Sequence, residues 1–390
     1  MRILLINTFY YPNMVGGTEQ SIKLLAEGLK KRGHEIFVMT GDKKDVEQEV
    51  IEGINIIRLN LSNNLKRWPL KVVRKCLEFN NIVLHKKIEG ILDSIKPDII
   101  HTNNLFYISP IVWKIANEKG IKVIHTLRDY WGLCPKTTLL NSKNGVCCKK
   151  NFLCKFHINN YKKYSKYVDI VTSPSKFTLE LYNKNNMFQT PNKFVISNAI
   201  DIDHEKCRSV FLKKNMREDD IIKFLFIGTI GIHKGIKFLI DSFQSIDNEN
   251  IRLLICGSGE LTDYVIEKSK EDKRIRYIGK VMGSEKERIL LESDVMVVPS
   301  IWYEPFGRVV IEGYKYSMPI IASKIGGINE LLFKDVSIGV EPNNNVNLED
   351  AIRYFSNRNT IKKYISNIQK YLPRYEIETQ VEKFEKVYVV

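Results

Sequence analysis

The sequence predicts an α/β protein built as two doubly wound domains. Three observations carry this. Short apolar runs alternate with amphipathic helical stretches along most of the chain, the pattern of parallel strands joined by helices on both faces of a sheet. A polar, mixed stretch at 198–220 interrupts the alternation once, after which it restarts. Finally, 390 residues exceed what one hydrophobic core usually organises, so two cores are expected. Sheets of this kind bind ligands outside the carboxyl ends of their strands.

In the first half, Ile3–Ile6 reads as a buried strand. Gly16-Gly17 then turns into a helix over Thr18–Lys31, whose Ile22, Leu25, Ala26 and Leu29 share one face. Gly17 or Thr18 is expected to cap it, with Glu19 in its first turn. Strands follow at Ile36–Met39 and Ile54–Leu59, then a basic helical stretch from Trp68 to Ile95. Asp98–His101 is a strand, Ser109–Lys119 a helix and Lys122–Leu127 a strand. A cysteine-bearing loop spans Gly132 to Cys154. A helix rich in Tyr and Lys leads to the strand Asp169–Thr172, a helix from Ser175 to about Asn185 and the strand Phe194–Ser197. In the second half, strands are expected at Lys223–Ile227, Arg252–Cys256, Arg276–Ile278 and Asp294–Pro299. Residues 299–330 read as strand end, loop, helix start, strand, glycine turn and helix start, and 351–390 as helical. The expected domains are therefore 1–200 and 201–371, with a C-terminal helix of about 372–390 returning to the first.

Composition narrows the function classes. No window offers the ~18 or more uncharged apolar residues of a membrane span. The opening MRILLINTFYYP reads as a buried strand and not as a signal peptide. A cytoplasmic protein with reduced cysteines is the expectation. The net charge of +15 is uneven: residues 1–200 hold 31 Lys/Arg against 16 Asp/Glu, and residues 201–390 hold 29 of each. An excess confined to one half points that half at an anionic partner: a membrane surface, a phosphorylated lipid or a nucleic acid. The competing reading is a lysine-rich background on solvated faces. Trp68 and Leu70 lie among Lys66, Arg67, Lys71, Arg74 and Lys75, a composition that suits either an interfacial patch on an anionic leaflet or a solvated basic helix.

Glycine-bearing turns follow strands in both halves: Gly16-Gly17, Gly228 to Gly235 with Lys234, Gly257-Ser-Gly259, Gly307 and Gly326-Gly327. Glycine lets backbone approach a phosphate, and a helix start supplies amides and partial positive charge. Lys234 adds a point charge. None of these turns reads G-x-G-x-x-G or G-x-x-x-x-G-K-[ST], so neither a dinucleotide fingerprint nor a P-loop is supported. Their recurrence suggests an anionic ligand clamped between two domains. Glu304 and Glu312 flank the Gly307 turn. Taken alone, Glu304 reads as a helix-cap carboxylate.

The run E304-P-F-G-R-V-V-I-E312 resembles the E-x7-E signature of the retaining glycosyltransferases of family 4. Gly16-Gly17-Thr18-Glu19, Gly228…Lys234-Gly235, Asn198-Ala-Ile-Asp201 and Gly326-Gly327…Glu330 resemble further motifs of that family, in order and over nearly the whole chain. The resemblance implies two Rossmann-like doubly wound domains facing a central cleft, the GT-B fold. It implies hexosyl-type transfer from a UDP- or GDP-sugar to a saccharide or polyprenyl-diphosphate-linked acceptor, in polysaccharide or glycolipid synthesis. Anomeric configuration would be retained and no catalytic metal used. The basic first domain would be the acceptor side, so the protein could be peripheral at the inner face of the membrane. Lys234, the amides near Phe306, Gly307 and Arg308, and those at Gly16, Gly17 and Gly228 would balance the diphosphate, an electrostatic stabilisation of the leaving group. Glu312 would accept the ribose hydroxyls, and Glu304 would hold the sugar and orient its anomeric carbon.

Two departures from the family pattern stand out. Thr229 occupies a position where the family usually has Arg. Arg128, in Thr126-Leu-Arg-Asp-Tyr-Trp131, stands where the family usually has His. Arg128 and its neighbour Asp129 are therefore candidate catalytic residues, Arg128 facing either the diphosphate or an acidic donor sugar. His101 and His125 read as buried, satisfied residues. Cys134, Cys147 or Cys148, Cys154 and His157 fall within one loop and could make a closed structural zinc site. Scattered reduced thiols are the competing reading. A sugar phosphorylase or nucleotide-sugar epimerase of similar fold remains an alternative. So does a nucleic-acid-binding protein using the basic half, although no recognition motif supports nucleic acid as a partner.

Overall fold

The structure, a computed structural model, describes residues 1–14, 16–42, 45–60, 78–79, 82–141, 145–147 and 150–390. The chain divides into two compact units: 1–141, 147–199 and 377–390 form the first, and 142–146 and 200–376 the second. The basic segment 66–75, Cys76 and Cys148 lie outside the described residues.

The first unit is built from β1 (Arg2–Ile6), α1 (Gly17–Lys31), β2 (Glu35–Asp42), β3 (Val46–Ile51), β4 (Ile54–Asn60), α2 (Ile82–Ile95), β5 (Ile99–Thr102), α3 (Ile111–Glu118) and β6 (Lys122–Thr126). It continues through α4 (Phe152–Ser165), β7 (Ile170–Ser173), α5 (Lys176–Lys184) and β8 (Lys193–Val195). Among the described residues the sheet order is β3-β4-β2-β1-β5-β6-β7-β8. Every pairing is parallel except β3 with β4. The sequence reading missed β3 because V-E-Q-E-V-I lacks a continuous apolar run. An antiparallel strand at the edge of a sheet needs none.

The second unit opens with α6 (His204–Asn215), followed by β9 (Ile222–Ile227), α7 (Ile236–Gln244), β10 (Ile251–Cys256), α8 (Thr262–Glu271), β11 (Ile275–Gly279) and α9 (Gly283–Glu292). It closes with β12 (Val295–Val298), α10 (Arg308–Lys315), β13 (Ile320–Ser323), β14 (Ser337–Val340), α11 (Asn345–Tyr354) and α12 (Arg358–Ile368). Its all-parallel sheet runs β11-β10-β9-β12-β13-β14, the strand order of a dinucleotide-type doubly wound domain. Alternate residues of β9 feed two cores. Phe224 and Phe226 point to one, with Leu253, Val295 and Val297. Leu225 points to the other, with Leu254, Met296 and Ile320. This is why the strands read as unbroken apolar runs. The polar stretch read as a junction contains the division between the units at 199/200 and also holds α6, capped by Asp203, whose side chain accepts from the Lys206 amide. Its buried apolar residues are only Cys207 and Val210, with Phe211 partly buried, too little to register as helical periodicity.

The last helix, α13 (Ile377–Tyr388), belongs to the first unit and packs on α1. A Cβ at Gly28 would meet Val381 Cγ2 at 2.6 Å and Ile377 Cγ2 at 2.7 Å, so glycine permits this approach. Arg32 and His34 close the contact from one side, each reaching the Glu385 carboxylate at 2.9 and 3.0 Å. Residues 369–375, with Pro373, form a 3₁₀ turn that separates α12 from α13. No helix among the described residues is long and apolar enough to cross a membrane.

Candidate functional site

In the second unit the strand order reverses between β9 and β12, and ligands bind at the carboxyl ends of strands at such a switch point. Both loops that leave it carry candidate residues. The loop after β9 runs from Gly228 into a 3₁₀ turn, Ile232–Lys234. The loop after β12 begins at Pro299 and Ser300. The two are joined by the Ile301 amide donating to the His233 carbonyl at 3.0 Å. Gly235 has φ 73°, and a Cβ there would fall 1.9 Å from the Pro299 carbonyl oxygen. The approach of these loops is therefore possible only with glycine.

That approach brings Lys234 Nζ to 2.5 Å from Glu304 Oε1. Ser300 Oγ donates to the same oxygen at 2.9 Å, and the ammonium stands 5.3 Å from the centroid of the Trp302 ring. Glu304 is 12% exposed. Burial pushes its pKa up, but the Lys234 charge and the hydrogen bonds from Lys234, Ser300 and Trp302 outweigh burial and hold it below its usual value. The His233 imidazole, edge-on to Trp302, is pushed down by burial and by Lys234. The sequence assigned Lys234 and Glu304 to different parts of a ligand. The structure adds that they form one ion pair.

The loop from Glu304 to Arg308 is clamped from the far side. The Gly327 amide donates to the Glu304 carbonyl at 2.7 Å. A Cβ at Gly326 would lie 2.6 Å from that oxygen. Gly307, with φ 99°, opens α10, and no side chain caps the helix there, so its first turn presents backbone amides and the positive end of the dipole. Burial lowers the Arg308 pKa, opposed by the charge of Glu312 one turn on. Glu312 itself meets Lys286 of α9, Nζ to Oε1 at 2.5 Å, with both side chains 27% exposed. Sequence reasoning missed Lys286. It stands 26 residues from Glu312 on a different helix, and no spacing rule links them.

In the first unit the candidate residues gather at the same end of their own sheet. Gly16, not Gly17 or Thr18, caps α1, and its amide donates to Glu19 Oε2 at 2.7 Å. Glu19, 4% exposed, therefore braces this turn, and the Gly16 amide is engaged internally. Arg128, two residues past β6, is buried: Nε donates to Asn103 Oδ1 at 2.8 Å and one terminal nitrogen donates to Asn198 Oδ1. Asn103 follows β5 and Asn198 follows β8, so three strand ends converge on one guanidinium. Asp129 is half-buried. Burial pushes its pKa up to about 6, against the lowering effect of the Trp131 amide, which donates to Oδ1 at 2.8 Å. Tyr182 OH donates to the Asp129 carbonyl at 3.0 Å.

His101 hydrogen-bonds with Tyr388 OH at 2.8 Å and Thr126 Oγ1 at 2.6 Å, and His125 with Thr102 Oγ1 at 2.9 Å and Tyr161 OH at 3.1 Å. Both are buried, and burial lowers their pKa, that of His125 to about 3.

The expected zinc site needs correction. His157 is fully buried, packed edge-on against Phe79 and Trp131, and its Nε2 is bonded to the Trp131 carbonyl at 2.6 Å. Cys134 is buried, whereas Cys147 and Cys154 are partly exposed. Among the described residues no three His, Cys, Asp or Glu side chains gather to hold a metal ion. Cys134, Cys147, Cys154 and His157 therefore do not fit a closed tetrahedral site. The histidine is used to fasten α4 under the Arg128 loop instead.

Both units are thus doubly wound α/β folds with charged loops at their strand ends. The family 4 glycosyltransferase model matches residues 15–204, and the model described as glycosyl transferases group 1 matches residues 209–371. The chain belongs to this glycosyltransferase family, and its solved structural neighbours are GT-B glycosyltransferases. It is 29% identical over 344 residues to an uncharacterized 42.6 kDa protein in the cps region of Klebsiella pneumoniae, covering 85% of this chain and 87% of that one. Sucrose-phosphate synthase of Thermosynechococcus elongatus has the same fold, with a TM-score of 0.77 at 20% identity over 100% of this chain and 98% of that one. HepE of Anabaena, solved in complex with UDP, gives 0.70 at 14% identity over 100% of both chains.

Proposed function

We propose that this glycosyltransferase takes its sugar from a nucleoside-diphosphate donor, delivers it to a saccharide or lipid-linked acceptor, and retains the anomeric configuration. The observation that carries the reading is the Lys234–Glu304–Ser300 constellation at the switch point of the second sheet. It sets a cation on the loop that leads into a helix start with no side-chain cap, which suits a diphosphate. It also sets a buried carboxylate, held ionised, where sugar hydroxyls would reach it. The UDP bound by HepE supports a nucleotide ligand for this fold.

In this reading Lys234 and the amides of Gly307 and Arg308 receive the charge that develops on the leaving diphosphate. The bond from the anomeric carbon to the phosphate oxygen breaks, and the bond to the acceptor oxygen forms on the same face. The acceptor hydroxyl proton passes to the departing phosphate oxygen, so no separate acid is needed. Glu304 orients the sugar through its hydroxyls. In the first domain Arg128 offers a fixed cation, and Asp129, with its pKa near 6, offers a carboxylate that accepts a hydroxyl hydrogen bond at neutral pH. The charge excess of residues 1–200 fits an acceptor bearing phosphate or lying in an anionic leaflet. The test is release of nucleoside diphosphate from UDP- and GDP-sugars, which should require an acceptor, with the anomeric configuration of the product read by NMR. Release of sugar phosphate, or product of inverted configuration, would overturn it.

A further inference from the structure

We propose that Tyr107, backed by Phe106, is the surface on which a sugar ring of the acceptor stacks, and that it selects acceptors by that ring. This rests on the reading above of the first domain as the acceptor side. Tyr107 lies in the loop that leaves β5, the strand beside β6 and its Arg128–Trp131 loop. Its backbone is left-handed, φ 73°, a conformation rare for a bulky residue. The loop is pinned on both sides of it. The Thr8 amide donates to the Asn104 carbonyl at 2.9 Å and Thr8 Oγ1 to the Phe106 carbonyl at 2.6 Å. The amides of Ile108 and Ser109 both donate to the Leu105 carbonyl at 3.0 Å. Strain of this kind persists where the surroundings over-determine it, and it concentrates at ligand clamps and active sites.

Phe188 supplies the contrast. Its backbone is also left-handed, φ 57°, but its ring is 3% exposed and packs against Trp113, His125 and Tyr161, so burial offsets the strain. Tyr107 is 41% exposed, whereas Leu105, Ile108 and Ser109 around it are buried. Packing thus accounts for the conformation of Phe188 and not for that of Tyr107. The Tyr107 ring rests on Phe106, centroids 4.0 Å apart, and Phe106 meets Trp131 edge-on at 6.1 Å. Trp131 is 2% exposed and its indole N–H has no hydrogen-bond partner, an unmatched donor that costs stability. The same two loops hold the candidate catalytic side chains of this domain: Asn103 accepts from Arg128, and the Trp131 amide donates to Asp129. A pyranose suits this corner. Its apolar C–H face matches the negative face of an aromatic ring, and its hydroxyl oxygens accept from an N–H donor. A lipid chain offers no such oxygens.

The experiment is steady-state transfer kinetics on the full chain. The acceptor probes are para-nitrophenyl glycosides of glucose, galactose, mannose and N-acetylglucosamine, and the readout is nucleoside diphosphate released from UDP- and GDP-sugars. Tyr107→Asn removes the ring and keeps a residue that tolerates the left-handed backbone, while Tyr107→Phe keeps the ring. Y107N should raise the acceptor KM about 10-fold or more with the donor KM unchanged, and Y107F should stay within about twofold of wild type. Y107N should also melt no lower than wild type, because it relieves the strained position. An unchanged acceptor KM in Y107N, or a donor KM that rises with it, would overturn the inference. So would a melting temperature several degrees lower, which makes the ring a brace for the fold. A wild type whose diphosphate release no glycoside increases also overturns it, and the nucleotide-donor reading then stands if calorimetry shows UDP or GDP bound. A wild type that binds neither and releases no diphosphate sinks that reading as well.

Discussion

Removing Lys234 tests the centre of the site most directly. The change Lys234→Met keeps most of the apolar stem and deletes the ammonium that stands 2.5 Å from Glu304 Oε1. A hydrogen bond to a charged group is worth ~1.5–3 kcal/mol, and breaking a deeply buried ion pair costs ~3–5 kcal/mol. Here the partners are 23% and 12% exposed, so solvent screens part of the effect and ~2 kcal/mol is the expected loss. For a domain of this size that lowers Tm by roughly 4–8 °C. The pH dependence has a definite sign. In the wild type Glu304 lies below its ordinary 4.5, so its contribution is present above that value and is lost as pH falls through the lower folded one. Without Lys234, burial is less opposed and Glu304 moves up. The deficit of K234M against wild type is then largest near neutral pH and shrinks as acid protonates the orphaned carboxylate. The assay is calorimetric melting of wild type, K234M, E304Q and K234M/E304Q between pH 8 and 5. The double variant should melt above K234M, since it no longer carries a buried unpaired charge. If K234M matches the wild type at every pH, the pair is an incidental contact and the electrostatic account of the site is wrong.

Gly326→Ala adds a Cβ 2.8 Å from the Glu304 amide nitrogen at a residue with φ 55°. Transfer should fall at least ~10-fold, with a stability loss of ~1–3 kcal/mol, both read on purified protein. Gly28→Ala drives a methyl into Val381 and Ile377 and should destabilise the first domain by ~1–3 kcal/mol, seen as a lower melting transition with unchanged nucleotide affinity. Asp129→Asn should abolish a rise in turnover through pH about 6. Its raised pKa means that the acid form is the one the fold favours, a contribution fully present below the ordinary 3.8 and lost as pH rises through about 6, so the variant should also melt higher than wild type at pH 7.5, by less at pH 5, and no higher once the pH is below 3.8. Treatment with EDTA should leave the melting temperature unchanged, because His157 is committed to the Trp131 carbonyl. A drop of several degrees would restore the metal reading.

Several features were fixed by local pattern alone. The buried strands Ile3–Ile6, Lys223–Ile227 and Asp294–Pro299 could be read because a parallel strand covered on both faces has no polar alternation. The glycine turns could be read because only glycine tolerates such backbone approach. Together they placed Glu304, Glu312 and the Gly326-Gly327 turn around one crevice, and the family resemblance added Lys234 to the same ligand. The edge strand Val46–Ile51 and the helix His204–Asn215 escaped, since each buries too little apolar surface to leave a periodic trace.

Pairing between side chains distant in sequence was decided only by the tertiary structure. Lys234 lies 70 residues from Glu304, and Arg128 lies 70 from Asn198. No propensity or spacing encodes such contacts. They exist because parallel strands bring their carboxyl ends to one edge, and the loops that leave them must share that edge. The same geometry withdrew His157 from the cysteines beside it in sequence and gave it to Trp131. It also gave Glu312 the partner Lys286. Local sequence sets which residues end strands and start helices. Which charges then meet depends on the order in which the strands are laid side by side.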